Sequence, residues 1–253
     1  SFIQNKLNIS PGISWANYAE EGNFFYPGLD VGFDLTENHK FYGNIAKVNR
    51  IPTFTDLYYV SKTEAGNPGL KPEHAVAAEL GYRYQINNFV GKVSGFLRNS
   101  DNSIDWVKQN VNDIWRAENI GEIDTKGIEV ELSQHFESFV KSYSLGYTFL
   151  ESKNSQPQNL MSRYVMENLK HQFVAKLENR FFKNLTNQLI YRYNERVTTG
   201  SYQTLDEKLS YDFQNLNLYI LINNITNTEY TETFGIPMPK RWFHVGFTYK
   251  IGL

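Results

Sequence analysis
The chain contains no cysteine among its 253 residues. Disulfide scaffolds, thiolate metal sites and thiol catalysis are therefore excluded. No run of about 18 apolar residues occurs, so no transmembrane helix is expected. The chain opens on Ser1 with no basic segment ahead of an apolar core, so no secretion leader is expected within it. An excess of one charge is lacking too. The 25 Lys and Arg oppose 27 Asp and Glu, and a net charge of −2 offers no global argument for nucleic acid. Nucleophile-elbow, P-loop, H-E-x-x-H and calcium-loop patterns are absent. The five histidines, His39, His74, His135, His171 and His244, fall on separate segments. No catalytic residue, metal site or cofactor is expected. A barrel hydrolase would need His and Ser side by side, and Ser144 and His171 fall on opposite faces of neighbouring segments.

Large aromatic rings are what the chain has in excess. There are 17 Tyr and 18 Phe, yet the mean hydropathy is −0.49. Apolar and polar residues alternate with period two, the signature of strands. Phe243, Val245, Phe247, Tyr249, Ile251 and Leu253 share one face, against Trp242, His244, Gly246, Thr248, Lys250 and Gly252. Similar rows run through 28–35, 76–84, 143–149, 203–213 and 216–224, and through 7–17, 128–133, 171–178 and 185–194. Segments 41–50 and 89–99 alternate less cleanly. About twelve strands are predicted, and 52–60 is the one stretch with a turn of helical periodicity. Short turns are expected near Glu37–His39, Asn87–Asn88, Glu137–Phe139, Phe182–Asn184 and Gln214–Asn215. Longer connections are expected at 18–26, 51–72, 109–113, 152–163, 195–202 and 226–240. Alternating short turns and long loops on strands of 9–12 residues fit an antiparallel transmembrane β-barrel, with lipid on one face and a polar interior on the other. A β-sandwich, a lipocalin-like barrel or a propeller also alternates, and the sequence does not say which way each face points.

Four stretches carry a family resemblance. Asn49-Arg50-Ile51-Pro52-Thr53-Phe54-Thr55-Asp56-Leu57-Tyr58 is the first. The second is Gly66-Asn67-Pro68-Gly69-Leu70-Lys71-Pro72-Glu73, followed by Glu79-Leu80-Gly81-Tyr82. The third is Asn119-Ile120-Gly121 with Lys126-Gly127-Ile128-Glu129-Val130-Glu131. The fourth is Asn223-Asn224-Ile225-Thr226-Asn227 with Tyr230 and Pro239-Lys240-Arg241 before a closing aromatic strand. In order and spacing they resemble the barrel of TonB-dependent outer-membrane receptors. The resemblance implies that residues 1–253 are the C-terminal part of an all-β barrel of about 22 strands, with the plug domain and the N-terminal barrel half absent. Ile104-Asp105-Trp106-Val107 and the 52–59 loop are similar to cobalamin-type receptors of gut bacteria. The family usually ends in Phe, and this chain ends in Leu253.

The implied function is TonB-dependent uptake of a scarce bulky nutrient, cobalamin or an iron–siderophore, without enzyme activity. A self-contained pore or an autotransporter-like adhesin anchor is the alternative. Ligand contact is expected from loop aromatics and their polar neighbours: Thr53, Phe54, Tyr58, Tyr59, Trp106, Trp115, Arg116, Tyr230, Phe234 and Met238. Glu79, Arg83, Glu129, Glu131 and Arg192 have the parity of a barrel interior and are candidates to face a plug. Partners implied are outer-membrane lipid, the plug and N-terminal barrel half, the TonB complex acting through that plug, the nutrient, and a surface lipoprotein. A sheet edge left open in hydrocarbon is not viable, so the isolated chain is expected to close by pairing 7–17 with 241–251.

Overall fold
The computed structural model describes residues 6–18, 22–154, 160–164, 169–233 and 236–251. In chain order the strands are β1 (Leu7–Tyr18), β2 (Gly22–Thr36), β3 (His39–Arg50), β4 (Glu64–Ala65), β5 (Glu73–Ile86), β6 (Phe89–Asp101), β7 (Ile104–Lys108), β8 (Trp115–Asn119) and β9 (Ile123–His135). They continue with β10 (Val140–Asn154), β11 (Met161–Ser162), β12 (Leu169–Phe182), β13 (Leu185–Arg196), β14 (Gly200–Phe213), β15 (Leu216–Asn223), β16 (Thr231–Thr233), β17 (Ile236–Pro237) and β18 (Trp242–Tyr249). Among the described residues one short helix, α1 (Phe54–Tyr58), lies in the predicted helical stretch. Twelve strands form one sheet in the order β1-β2-β3-β5-β6-β9-β10-β12-β13-β14-β15-β18. These are the twelve segments that alternate in the sequence. A small sheet of β11, β7, β8 and β4 is built from the connections.

Two expectations are corrected. The first concerns two connections. The hairpins β1–β2 and β13–β14 stay paired out to Tyr18↔Gly22 and Arg196↔Gly200, so 22–26 belongs to β2 rather than to a long connection, and 195–202 closes as a tight turn through 197–199. Gly22 and Gly200 adopt φ of +84° and +79°, a conformation that glycine reaches without Cβ strain. The second concerns closure. The order ends at β1 and β18, so the barrel does not close within this chain. Strand number, tilt and stagger are linked in a barrel, so twelve strands in succession do not by themselves bring the first and the last into register.

The chain divides into two compact units. The first is Ser1–Arg83, Val93–Ile128 and Leu150–Asn168; the second is Tyr84–Lys92, Glu129–Phe149 and Leu169–Leu253. In the second unit, Leu209↔Ile220↔Val245 and Tyr211↔Leu218↔Phe247 are cross-strand rows of apolar side chains. Val245 is 81% exposed and Phe247 72%, so no second sheet or helix covers this face. A soluble sandwich would bury it; a membrane wall presents it to lipid. The opposite face is polar. Lys208 Nζ lies 4.7 Å from the Tyr219 ring centroid, and Tyr219 lies over Gly246 so closely that an added Cβ there would enter the ring.

In the first unit the same division holds. Ile9↔Val31↔Gly43 and Pro11↔Leu29↔Ile45 form apolar rows, while Asn44 on the other face donates to Glu79 at 3.4 Å. The buried apolar side chains lie mostly in the connections and strand ends rather than in the wall. Leu70, Ile104, Trp106, Val107, Trp115, Ile120 and Ile123 are among them.

Candidate ligand-binding site
In the first unit the predicted loop residues surround a buried carboxylate. Thr53 caps α1: its hydroxyl accepts from the Asp56 N–H at 3.1 Å, and Asp56 Oδ2 accepts the Thr53 N–H at 3.0 Å. This reciprocal pair satisfies donors that a helix start otherwise leaves orphaned. Asp56 also accepts from Arg50 Nη2 at 2.9 Å and from Trp106 Nε1 at 3.3 Å. It is only 4% exposed, so these charge-assisted bonds replace its hydration. Glu73 is the second buried acid. It accepts from Arg98 and from the Ile104 N–H, with Arg50 Nη1 3.8 Å away. Asn119 completes the frame, accepting from Lys71 N–H at 2.9 Å and donating to Lys71 O at 3.0 Å and to Asn102 O at 2.7 Å.

The first three sequence signatures thus meet as one hydrogen-bonded scaffold. Asp56, Glu73, Asn119, Arg50 and Arg98 were not singled out as site residues. The signal that could have found them is acids and arginines embedded among apolar loop residues, where an unpaired charge would be prohibitively costly. The structure places Trp106 and Trp115 inside this scaffold, 6% and 8% exposed. Trp106 is committed to Asp56, and Trp115 carries Lys108 and Arg163 over its ring at 4.7 and 4.6 Å. Phe54, Tyr58, Tyr59 and Arg116 are exposed, with Phe54 and Tyr58 ring centroids 5.9 Å apart. Beside the scaffold lies a cleft of about 520 Å³ lined by Glu73, Glu79, Arg98, Ser100 and Tyr164, among others.

The second unit holds a cleft of about 340 Å³ whose lining includes Arg192, Tyr202, Asp206, Tyr230, Glu232, Met238 and Trp242. Three predicted residues, Arg192, Tyr230 and Met238, are brought together here. Tyr230 stacks on Tyr202 with centroids 4.3 Å apart and planes 21° from parallel. Tyr202 donates to Glu232 at 2.6 Å, and Arg192 pairs with Asp206. Burial pushes the Tyr230 phenol above its usual range, and the charges of Glu232 and Asp206 push the same way. The fourth signature shapes the cleft's edge. Asn224, with φ +52°, donates its N–H to Asp206 at 2.8 Å and accepts the Thr228 N–H at 2.9 Å. Asp206, Tyr202, Asn224 and Glu232 are further residues that the sequence did not single out.

Of the interior candidates, Glu131 pairs with Lys92 at 2.9 Å and Glu79 bonds Asn44. Glu129 is exposed and Arg83 half-buried. Phe234 lies outside the described residues. Among those residues no group of three or more His, Asp or Glu is arranged to hold a metal.

An antiparallel sheet with an uncovered apolar face, a polar opposite face and loops knit by buried acids defines the wall of an outer-membrane β-barrel. The family description "TonB dependent receptor-like, beta-barrel" matches residues 2–225, and the chain belongs to this family, whose place is the Gram-negative outer membrane. Vitamin B12 transporter BtuB of Vibrio vulnificus is 25% identical over 228 residues, which cover 89% of this chain and 33% of that protein. The ferric enterobactin receptor of Pseudomonas aeruginosa is 25% identical over 192 residues, 64% of this chain and 26% of that one. The solved siderophore receptor PirA of Pseudomonas aeruginosa superposes with a TM-score of 0.74 at 19% identity, covering 97% of this chain and 44% of its own. That likeness shows the fold. The chain spans about a third of the length of the curated transporter that it matches.

Proposed function
We propose that the whole protein takes up a bulky nutrient through the outer membrane by TonB-dependent active transport, and that this chain supplies wall and outer loops without catalysing a reaction. In this reading a plug domain and further strands complete the barrel, and Glu79, Arg83, Glu129, Glu131 and Arg192 face the plug. The TonB complex supplies energy through that plug. A surface lipoprotein meets the exposed aromatics of α1 in this reading. The residues proposed to touch ligand are Phe54, Tyr58, Tyr59, Arg116, Tyr230 and Met238, with Phe234 as a sequence-based candidate.

One observation favours a neutral or weakly charged ligand such as a corrinoid over a polyanionic ferric catecholate. Taken together, 51–72, 102–122, 152–163 and 224–241 hold eight acids against eight Lys and Arg, Lys153 and Arg163 being the charges of 152–163. Residues 51–72 hold Asp56 and Glu64 against Lys62 and Lys71, and 224–241 hold Glu229 and Glu232 against Lys240 and Arg241. Residues 102–122 hold four acids against Lys108 and Arg116. Loops without net positive charge offer a polyanion no electrostatic steering. The deciding experiment is equilibrium binding of cyanocobalamin and of ferric enterobactin to the full-length protein, with growth of a deletion strain on each as sole source. Saturable corrinoid binding with a matching growth defect is expected. Tight catecholate binding without corrinoid binding would replace this assignment with the siderophore reading, and binding of neither, with ion conduction by the purified protein, would favour a pore.

A further inference from the structure
Lys47 is a cation on an apolar row. Leu29↔Ile45 and Gly28↔Ala46 are cross-strand partners. Lys47, two residues beyond Ile45 on the same extended strand, therefore shares the face of Leu29 and Ile45. It lies beside Pro27, which pairs with Ile13. Ile13 is 74% exposed, as a lipid-facing residue of a barrel wall is. The next cross-strand pair on that face is Trp15↔Phe25, both exposed, an aromatic pair of the kind that marks a membrane interface. The ammonium of Lys47 thus starts about one residue pair inside the aromatic level, on the side of the wall that meets lipid.

Lys47 is exposed and has no hydrogen-bond or ion-pair partner among the described residues. The contrast with other charges on the outward rows is informative. Lys126 and Lys153 share Glu151 at 3.0 and 3.2 Å, so their charge is balanced within the protein. A lysine facing lipid without a counter-ion is unfavourable unless its long stem carries the head to an anion at the interface. Next to it runs a groove of about 330 Å³ whose lining includes Pro27, Leu29, Ile45, Ala46 and Val76 as well as Lys47. Aliphatic walls with one cation match a hydrocarbon chain ending in a phosphate.

We propose that this groove binds one lipid of net negative charge from the outer leaflet, with an acyl chain along Leu29, Ile45 and Val76 and its uncompensated phosphate held by Lys47. The site lies on the outward face and goes beyond nutrient uptake. It would anchor β1–β2–β3 to the bilayer through charge as well as through apolar contact.

The test uses the full-length protein, reconstituted with phosphatidylglycerol, lipid A or phosphatidylcholine, and native mass spectrometry of the lipids that stay bound. Wild type should retain phosphatidylglycerol and lipid A in preference to phosphatidylcholine. Lys47→Gln should weaken retention of both phosphate-anionic lipids about fivefold, the effect of one lysine near a charged membrane surface, and leave phosphatidylcholine unchanged. Lys47→Arg should restore retention. Val76→Trp, which fills the groove and keeps the ammonium, should lower retention of all three, and it keeps the test decisive if Lys47→Gln does not insert. Equal retention of anionic and zwitterionic lipid by wild type, or unchanged selectivity in Lys47→Gln, would overturn the proposal.

Discussion
The loop scaffold of the first unit and the strands β14, β15 and β18 of the second obey opposite rules. Around Asp56 and Glu73 the chain behaves as a small soluble protein. It buries apolar side chains, with Val107, Ile120 and Ile123 packed together and Leu160 against them, and it satisfies each buried acid with several donors. In β14, β15 and β18 the apolar row is the exposed one, and the polar row carries the contacts between side chains. The lesson is that apolar burial in this chain belongs mostly to the connections and strand ends, while the wall relies on backbone hydrogen bonds between strands and on a solvent that is itself apolar.

The sharpest way to break that contrast is Asp56→Ala. It removes the acceptor shared by Arg50, Thr53 and Trp106 and should cost the scaffold about 3–4 kcal/mol. Amide exchange in 51–72 and 102–122 should rise strongly while heat-modifiable mobility of the barrel stays unchanged; preserved protection of the loops would show that Asp56 is not their keystone. Val245→Lys attacks the other rule. On a soluble surface, an 81% exposed position would tolerate lysine. On a lipid-facing wall the change should cost about 2 kcal/mol, measured as folding into bilayers against urea, and no loss would undermine the orientation of the whole row.

A smaller effect is expected from Thr53→Ala, about 1 kcal/mol through the lost helix cap, seen as faster exchange at Asp56 and Leu57 alone. The smallest concerns Glu229, whose carboxyl is held below its ordinary value of 4.5 by Lys240. A depressed pKa means that the ion pair contributes fully above that value and is lost as pH falls through the lower, folded-state pKa. Protease protection of 226–240 should therefore be flat from pH 8 to 5 and fall only in more acidic buffer. A fall between pH 7 and 5 would point to another group.

Much of the wall is legible in the residues themselves. Rows such as Phe243, Val245 and Phe247 declare their face by alternation, and positive φ at Asn87 and Gln214 agrees with turns read from Asn-Asn and Gln-Asn. The start of β2 at 22–26 and the turn at 196–200 are less legible, because beyond the apolar band both faces of a strand can be polar and alternation fades. The scaffold was legible as motifs but not as contacts. Asp56 and Trp106 lie 50 residues apart, and Asn119 and Lys71 lie 48 apart. The cleft of Tyr202 and Tyr230 needed the long turn started by Asn224.

Sequence by itself therefore determined the strand class, the twelve segments and the family, because period-two patterning and turn chemistry are local and repeat along the chain. Tertiary structure alone decided which loop aromatics are packed and which are free, which acids share an arginine, and that β1 and β18 are not hydrogen-bonded neighbours. Those outcomes depend on groups brought together from distant segments, where burial forces each polar atom to find a partner that no local pattern names.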